Sequence, residues 1–124
     1  VGGTEIPVDS KRVFNAGTDH PIERTAALVK GSLLAVTADT VWMHIEMGLD
    51  VPTIAVFGST HPDLGFVSEY NMPRIVLGKQ LSCRPCTKIG KKRCQKKHFF
   101  CLKGISPKII MEQIKDVINF NSNS

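Results

Sequence analysis

Two short clusters of polar residues could bind a phosphate-containing ligand. Residues 37–40 (Thr-Ala-Asp-Thr) follow an apolar stretch and directly precede a sequence compatible with a helix. The free N–H groups of such a helix start, together with the Thr40 hydroxyl, suit a phosphate. Residues 58–62 (Gly-Ser-Thr-His-Pro) would let a ligand approach the backbone closely. His44 lies one helical turn after Thr40 and could donate a hydrogen bond from the same face.

Each of these features also has a simpler explanation. Asp39 and Thr40 are residue types that cap helices without binding anything. A lone histidine such as His44 is more often a core residue with satisfied hydrogen bonds than a ligand-binding group. Met43 and Met47, at helical spacing, are predicted to belong to the core. Spacing alone therefore leaves a phosphate site and ordinary helix capping both open.

A second kind of chemistry is indicated by the cysteines, all of which lie in one segment, 83–101. They are Cys83, Cys86, Cys94 and Cys101. Four thiolates suit a tetrahedral zinc or iron ion, and a Cys-x-x-Cys pair presents two sulfurs from one tight turn. We therefore predict a structural, non-catalytic metal in this finger, with His98 as an alternative fourth ligand. Two disulfides, or free thiols, remain the alternatives.

The charge distribution is strongly asymmetric. Residues 1–73 carry four basic and nine acidic side chains, whereas residues 74–124 carry twelve basic and two acidic ones. Nine of the basic residues lie between Arg84 and Lys108. Such a block favours a phosphate-bearing partner, which could be a nucleic acid, an anionic membrane or a phosphorylated substrate. A solvated surface that keeps the domain soluble explains it equally well.

The remaining sequence predicts the elements that must position these residues. Hydrophobic residues make up 42% of the 124 positions and charged residues 22%, which is a globular composition without a membrane-length apolar run. Helices are predicted at 22–30, at about 40–47 and from Ser106-Pro107 onward. Strands are predicted at 33–37, 53–57 and 75–77, the first two buried on both faces. This order indicates an α/β fold with a Rossmann-like parallel sheet, in which ligands bind beyond the carboxyl ends of the strands.

Several of these segments resemble glycosyltransferase family nine, the heptosyltransferases of lipopolysaccharide assembly. The resemblance is carried by residues 37–44 (Thr-Ala-Asp-Thr-Val-Trp-Met-His), by Gly48 and Pro52, and by residues 56–62. The cysteine pattern and residues 105–107 (Ile-Ser-Pro) also look like members of the family. Val41 departs from the pattern because the family often has glycine there, and Trp42 beside it is unusual.

The resemblance implies the C-terminal half of a GT-B glycosyltransferase, with residues 1–124 forming a single nucleotide-sugar-binding domain that includes the Cys-rich loop and the C-terminal helix. The N-terminal acceptor domain, with the catalytic base, is expected to be absent, so we name no catalytic residue here. The implied donor is ADP-heptose or a related sugar, transferred with inversion and without a catalytic cofactor. The implied donor-binding residues are Glu5, Asp39, Thr40, Val41, His44, Gly58, Ser59 and Thr60.

The same resemblance implies a phosphorylated, lipid-linked or protein acceptor and a cytoplasmic location, with peripheral contact to the anionic inner membrane through the basic face. A different class of function competes with it. A basic four-cysteine segment containing Phe99 and Phe100 resembles a metal finger that grips single-stranded nucleic acid. Its spacing matches no standard finger and it leaves the α/β body unexplained, so we rank it second. A scaffold role for the basic face is the third reading.

Overall fold

The computed structural model of the chain describes residues 11–13, 15–16, 21–64, 74–77, 80–89 and 93–123. Strands and helices alternate through most of the described chain, as the apolar pattern predicts. In chain order the elements are α1 (Ile22–Lys30), β1 (Ala35–Ala38), α2 (Val41–Gly48), β2 (Thr53–Phe57), a 3₁₀ turn (Pro62–Leu64), β3 (Arg74–Leu77), α3 (Phe100–Lys103) and α4 (Pro107–Ser122).

The three strands form one parallel sheet with β2 in the centre. Ala38 of β1 pairs with Val56 of β2, and Phe57 of β2 pairs with Leu77 of β3. The prediction of an α/β fold with a parallel sheet is therefore confirmed. Because all three strands run in the same direction, their carboxyl ends lie at one edge of the sheet. The GT-B architecture and the single domain over residues 1–124 stay predictions.

The two apolar strands differ in burial. All residues of β2 are buried except Val56, which is half-buried, as expected for a central strand. In β1, half-buried and exposed residues alternate, and Val36 is 47% exposed. The prediction that β1 is buried on both faces was therefore wrong. Its pattern was apolar, but burial depends on neighbours, and only β2 pairs with β1 among the described strands.

The core lies between α2 and the central strand. Met43 and Met47 of α2 form a buried cluster with Ala55 and Phe57 of β2. Met43 and Phe57 are both 0% exposed. The prediction that the two methionines are core residues is confirmed. Because this cluster packs α2 against β2, it also fixes where the start of α2 lies relative to the strand ends.

The last helix begins where its sequence predicts. The Ser106 hydroxyl oxygen accepts a hydrogen bond from the N–H of Ile109 at 3.4 Å, and Pro107 occupies the first helical position. The helix continues to Ser122. Val117 is its buried residue, and α4 contacts both β2 and β3.

None of the helices in the described parts of the chain combines the length and the apolar character that crossing a bilayer requires.

Candidate functional site at the carboxyl edge of the sheet

The two polar clusters singled out in the sequence are joined at the carboxyl edge of the sheet. Asp39 follows β1 directly, and residues 58–60 follow β2. The Thr60 hydroxyl donates a hydrogen bond to Oδ2 of Asp39 at 2.5 Å, although the two residues are 21 positions apart. Thr60 is buried and Asp39 is half-buried. This charge-assisted bond holds the two strand ends together and leaves the second carboxylate oxygen of Asp39 for another partner.

The start of α2 lies beside this pair and has no side-chain cap. Thr40 precedes the helix in an extended conformation (φ −142°, ψ 174°), and its hydroxyl makes no capping hydrogen bond. The Asp39 carboxylate bonds to Thr60 instead of the helix. The capping explanation of these two residues is therefore not what the structure shows. A helix start without a side-chain cap, with a hydroxyl next to it, is a suitable place for an anion.

Three predicted site residues of this helix start are exposed. They are Thr40, Val41 and His44, and Val41 is 59% exposed. Since His44 is exposed, the explanation that it is a satisfied core histidine does not hold. The exposed Val41 side chain stands on the first turn of α2. A ligand that reaches the first-turn N–H groups must therefore pass beside this side chain.

The loop after β2 contacts the cysteine-rich segment and α3. The carbonyl oxygen of Ser59 accepts a hydrogen bond from the N–H of Cys86 at 2.8 Å. A Cβ atom added at Gly58 would lie 3.0 Å from Cδ2 of Leu102, a residue of α3. A side chain at position 58 would therefore press on Leu102, whose side chain would have to shift by a few tenths of an ångström. The sequence pattern gave no sign that these two segments touch.

Arg84 is a site residue that the sequence analysis missed. Its Nη2 donates a hydrogen bond to the carbonyl oxygen of Thr60 at 3.2 Å, while its buried Nε has no hydrogen-bond partner. Arg84 therefore places a permanent positive charge against the loop that also carries the bond to Asp39. Its position inside the basic stretch 84–108 was the only available signal, and that signal did not distinguish Arg84 from its neighbours.

The cysteine-rich segment carries all four cysteines of the chain. We call the four cysteines the thiol cluster: Cys83, Cys86, Cys94 and Cys101. All four are free, and only Cys101 is fully buried. The Cys86 thiol donates to the carbonyl oxygen of Cys83 at 3.0 Å. Burial, and after it the other three thiols, raises the pKa of Cys86, whereas backbone N–H groups, first that of Phe99, lower the pKa of Cys94.

His98 lies next to this cluster. Its Nε2 is 4.0 Å from the Cys83 sulfur, and its Nδ1 accepts a hydrogen bond from the N–H of Phe100 at 3.0 Å. Among the residues that the structure describes, no three His, Cys, Asp or Glu side chains already have the arrangement of a metal site. The predicted metal therefore stays a prediction at this point.

A cavity of about 320 Å³ lies on the other side of α2, between α1, β1 and α2. Trp42 and Glu46 line it together with apolar side chains such as Val36. Glu46 is 5% exposed, and its Oε2 has no hydrogen-bond partner. Burial raises the pKa of Glu46 to about 7. The sequence analysis did not predict that Glu46 is buried. Its position between Met43 and Met47, on the face of α2 that packs against the core, could have indicated this.

One predicted donor-binding residue, Glu5, lies outside the described residues. The others form two groups at one edge of the sheet. Asp39, Thr40, Val41 and His44 belong to the end of β1 and the start of α2, and Gly58, Ser59 and Thr60 form the loop after β2. Only Asp39 and Thr60 make a direct side-chain bond with each other.

Part of this chain is similar to curated heptosyltransferases. The chain is 38% identical over 63 residues to "Lipopolysaccharide heptosyltransferase 1" of Pseudomonas aeruginosa, an alignment that covers 51% of this chain and 17% of the relative. It is 31% identical over 85 residues to "Lipooligosaccharide heptosyltransferase 2" of Campylobacter jejuni subsp. jejuni serotype O:2, covering 68% of this chain and 25% of that relative. The chain thus spans a quarter or less of the length of these relatives. No solved structure gave a significant match.

A family model covers both halves of the site. The model for glycosyltransferase family 9 (heptosyltransferase) matches residues 18–98, which include the end of β1, the start of α2, the loop after β2 and the first three cysteines. The resemblance read from the sequence is thereby confirmed: the chain belongs to glycosyltransferase family 9, the heptosyltransferase family.

Proposed function

We propose that this chain binds the activated-sugar donor of a heptosyltransferase at the carboxyl ends of β1 and β2. The observation that carries this proposal is the 2.5 Å hydrogen bond from Thr60 to Asp39, which joins the two strand ends beside the start of α2. Open α/β sheets bind ligands at this edge. The names of the curated relatives support heptosyl transfer in lipopolysaccharide assembly. In this proposal the donor is ADP-heptose or a related nucleotide sugar.

The diphosphate of the donor is placed at the start of α2 in this proposal. The first-turn N–H groups and the Thr40 hydroxyl would donate hydrogen bonds to it, and the helix dipole favours its negative charge. Arg84 adds a positive charge through its position on the Thr60 carbonyl. His44, which is exposed on the same helix, would donate to the diphosphate or the sugar. The free oxygen of Asp39 would accept a hydrogen bond from a sugar hydroxyl.

The proposed reaction is an inverting transfer to a phosphorylated, lipid-linked or protein acceptor. The acceptor hydroxyl attacks the anomeric carbon, and the bond to the diphosphate breaks. The groups at the start of α2 stabilise the charge that develops on the departing diphosphate. No residue of this chain is assigned as the general base. The proposed reaction uses no catalytic metal ion. The role of these residues is therefore to bind the donor and to stabilise its leaving group.

A nucleotide titration tests this proposal directly. Isotope-labelled chain is titrated with ADP, and separately with UDP and a short single-stranded RNA, while amide signals are followed by NMR. We expect ADP to shift the signals of residues 39–44 and 58–60. Thr40→Ala and His44→Ala should each weaken ADP binding by roughly 10-fold, because each removes one hydrogen bond to a charged group.

The control is Ser122→Ala, since the Ser122 hydroxyl is exposed and donates only to the carbonyl of Ile118 at 2.9 Å. This variant should bind ADP as the unchanged chain does. If ADP leaves residues 39–44 and 58–60 unshifted, or if Thr40→Ala binds as tightly as the control, the donor site is elsewhere. RNA-induced shifts across 84–103 without an ADP response would support the nucleic-acid finger instead.

Peripheral contact with an anionic membrane is the second part of the proposal. Lys96 and Lys97 are exposed, and Phe100 beside them is 53% exposed. Exposed basic and aromatic side chains together suit an anionic lipid surface. We expect Lys96→Gln with Lys97→Gln to weaken sedimentation with anionic vesicles by roughly 30-fold, at about 1 kcal/mol per charge.

The matched control removes the same number of charges from the acidic half of the chain, with Lys11→Gln and Lys30→Gln, both at exposed positions. It should bind vesicles nearly as well as the unchanged chain. Equal losses in the two double variants would show that net charge alone is responsible, and would remove the cysteine-rich segment as the contact surface.

A further inference from the structure

The cavity between α1, β1 and α2 is separate from the proposed donor site. Its volume is about 320 Å³, which is at the lower end of the roughly 300–1,000 Å³ of small-molecule sites. None of Asp39, Thr40, His44 and residues 58–60 is among its lining residues. A ligand in this cavity would therefore be held by side chains that the donor site does not use.

The walls of the cavity are mostly apolar. Leu28 and Val29 of α1 and Val36 of β1 supply hydrocarbon surface. Trp42, in the first turn of α2, adds an aromatic side chain. Leu28 and Val36 are both exposed, so solvent reaches the cavity along these two side chains. The cavity is thus open to a ligand and lined by surface against which an apolar group can pack.

A single charged side chain lines these walls. Glu46 is 5% exposed, and its Oε2 has no hydrogen-bond partner among the residues that the structure describes. The other described residues of the lining carry no charge, so none of them neutralises the Glu46 carboxylate. A buried carboxylate without a partner is costly, and a cation that enters the cavity would remove that cost. The carboxyl group is therefore the feature that indicates the charge of a ligand.

We propose that this cavity binds a small organic cation, a primary ammonium group on a short hydrocarbon body. The ammonium donates hydrogen bonds to the Glu46 carboxylate, and their opposite charges strengthen these bonds. An indole ring such as that of Trp42 attracts a cation that lies over its face. The hydrocarbon body packs against Leu28 and Val36. Because folding has already removed the carboxylate from water, binding has to desolvate only the ammonium.

A titration with hexylamine tests this proposal without any nucleotide. At pH 8 Glu46, whose pKa burial raises to about 7, is mostly ionised, and the amine is protonated as a lysine side chain is. Trp42 is the only tryptophan, so its indole N–H gives a single NMR signal in the isotope-labelled chain. We expect hexylamine to shift this signal and the amide signals of residues 28–29 and 35–37, with half-saturation at about 1 mM. Residues 58–60 should stay unshifted.

A charge-removing variant and an uncharged probe separate the carboxylate from the apolar walls. Glu46→Gln should weaken hexylamine binding by roughly 10-fold, because a charge-assisted hydrogen bond becomes a neutral one. Hexan-1-ol should bind the unchanged chain roughly 10-fold more weakly than hexylamine and should be insensitive to this substitution. Glu23→Gln is the matched control, since Glu23 is exposed on α1 and does not line the cavity. It should bind hexylamine as the unchanged chain does.

Three outcomes would overturn the proposal. An indole signal that hexylamine does not move, even well above the expected half-saturation, would show that the cavity holds water only. Equal affinities of hexylamine and hexan-1-ol for the unchanged chain would show that the carboxylate selects nothing, and this comparison needs no variant to fold. Equal losses in Glu46→Gln and Glu23→Gln would reduce the effect to general charge attraction. None of these results depends on whether ADP binds at the strand ends.

Discussion

Phe57→Ala is expected to lower the free energy of unfolding by about 3–5 kcal/mol. Phe57 is the last residue of β2 and is 0% exposed, in a cluster with Met43 and Met47 of α2. Removing its ring takes apolar contacts from both elements and leaves a cavity between them. Because small domains are stable by only about 5–15 kcal/mol, this loss is a substantial share of the total free energy of unfolding. Urea titration followed by circular dichroism measures the change.

The same substitution at an exposed position provides the control. Phe120 in α4 is 69% exposed, and Phe120→Ala should change the free energy of unfolding by no more than about 0.5 kcal/mol. Phe57→Leu keeps most of the buried volume and should cost only about 1–2 kcal/mol. Equal effects of the two alanine substitutions would mean that α2 and β2 are not held together by this cluster.

Glu46→Gln is expected to stabilise the chain above neutral pH and to leave it unchanged in acid. Glu46 has a pKa of about 7 when folded, against 4.5 for the free side chain. Below pH 4.5 the carboxyl is protonated in both states and burial carries no charge penalty. Between pH 4.5 and 7 the unfolded chain releases the proton first, so stability falls as pH rises. Above pH 7 the folded chain holds a buried, unpaired carboxylate.

We expect a gain of about 1–2 kcal/mol for Glu46→Gln at pH 8, less than the full pKa difference implies, because the adjoining cavity lets water screen the carboxylate. The fluorescence of Trp42, which lines the same cavity and is the only tryptophan, reports unfolding in urea at pH 5 and pH 8. Glu112→Gln, on an exposed part of α4, should shift neither midpoint appreciably. A chain that keeps its full pH dependence after Glu46→Gln would place the titrating group elsewhere.

The local elements of the fold could be predicted because short-range physics determines them. The helix over 22–30 has the bounds that its periodicity indicates, and α4 begins at Ser106-Pro107 because a hydroxyl cap and a proline act within one turn. The four-residue helix α3 could not be predicted, since it is too short for any periodicity to be visible. The exposure of Val36 depends on which chain segments lie beside β1, and an apolar pattern holds no such information.

The site was predictable in part for the same reason. Topology places Asp39 and residues 58–60 at one edge of a parallel sheet. That these two segments lie close together therefore follows from the strand order. The contact of Arg84 with Thr60 spans 24 positions and depends on how an irregular segment folds back. No spacing rule covers such a segment. The burial of Glu46 could not be predicted for another reason. Burial is predicted from apolar residue types, and a charged residue is expected to be exposed.

The contacts under the loop after β2 limit how this chain can be recombined with its relatives. The backbone carbonyl oxygens of Ser59 and Thr60 each accept a hydrogen bond from the segment that begins at Cys83. Gly58 lies close to the Leu102 side chain. A chimera that exchanges residues 83–103 would have to reproduce two hydrogen bonds and one close apolar fit. An exchange that ignored them would strip the loop of support while leaving every strand intact. The natural unit of exchange is therefore the strand-end loop together with the cysteine-rich segment.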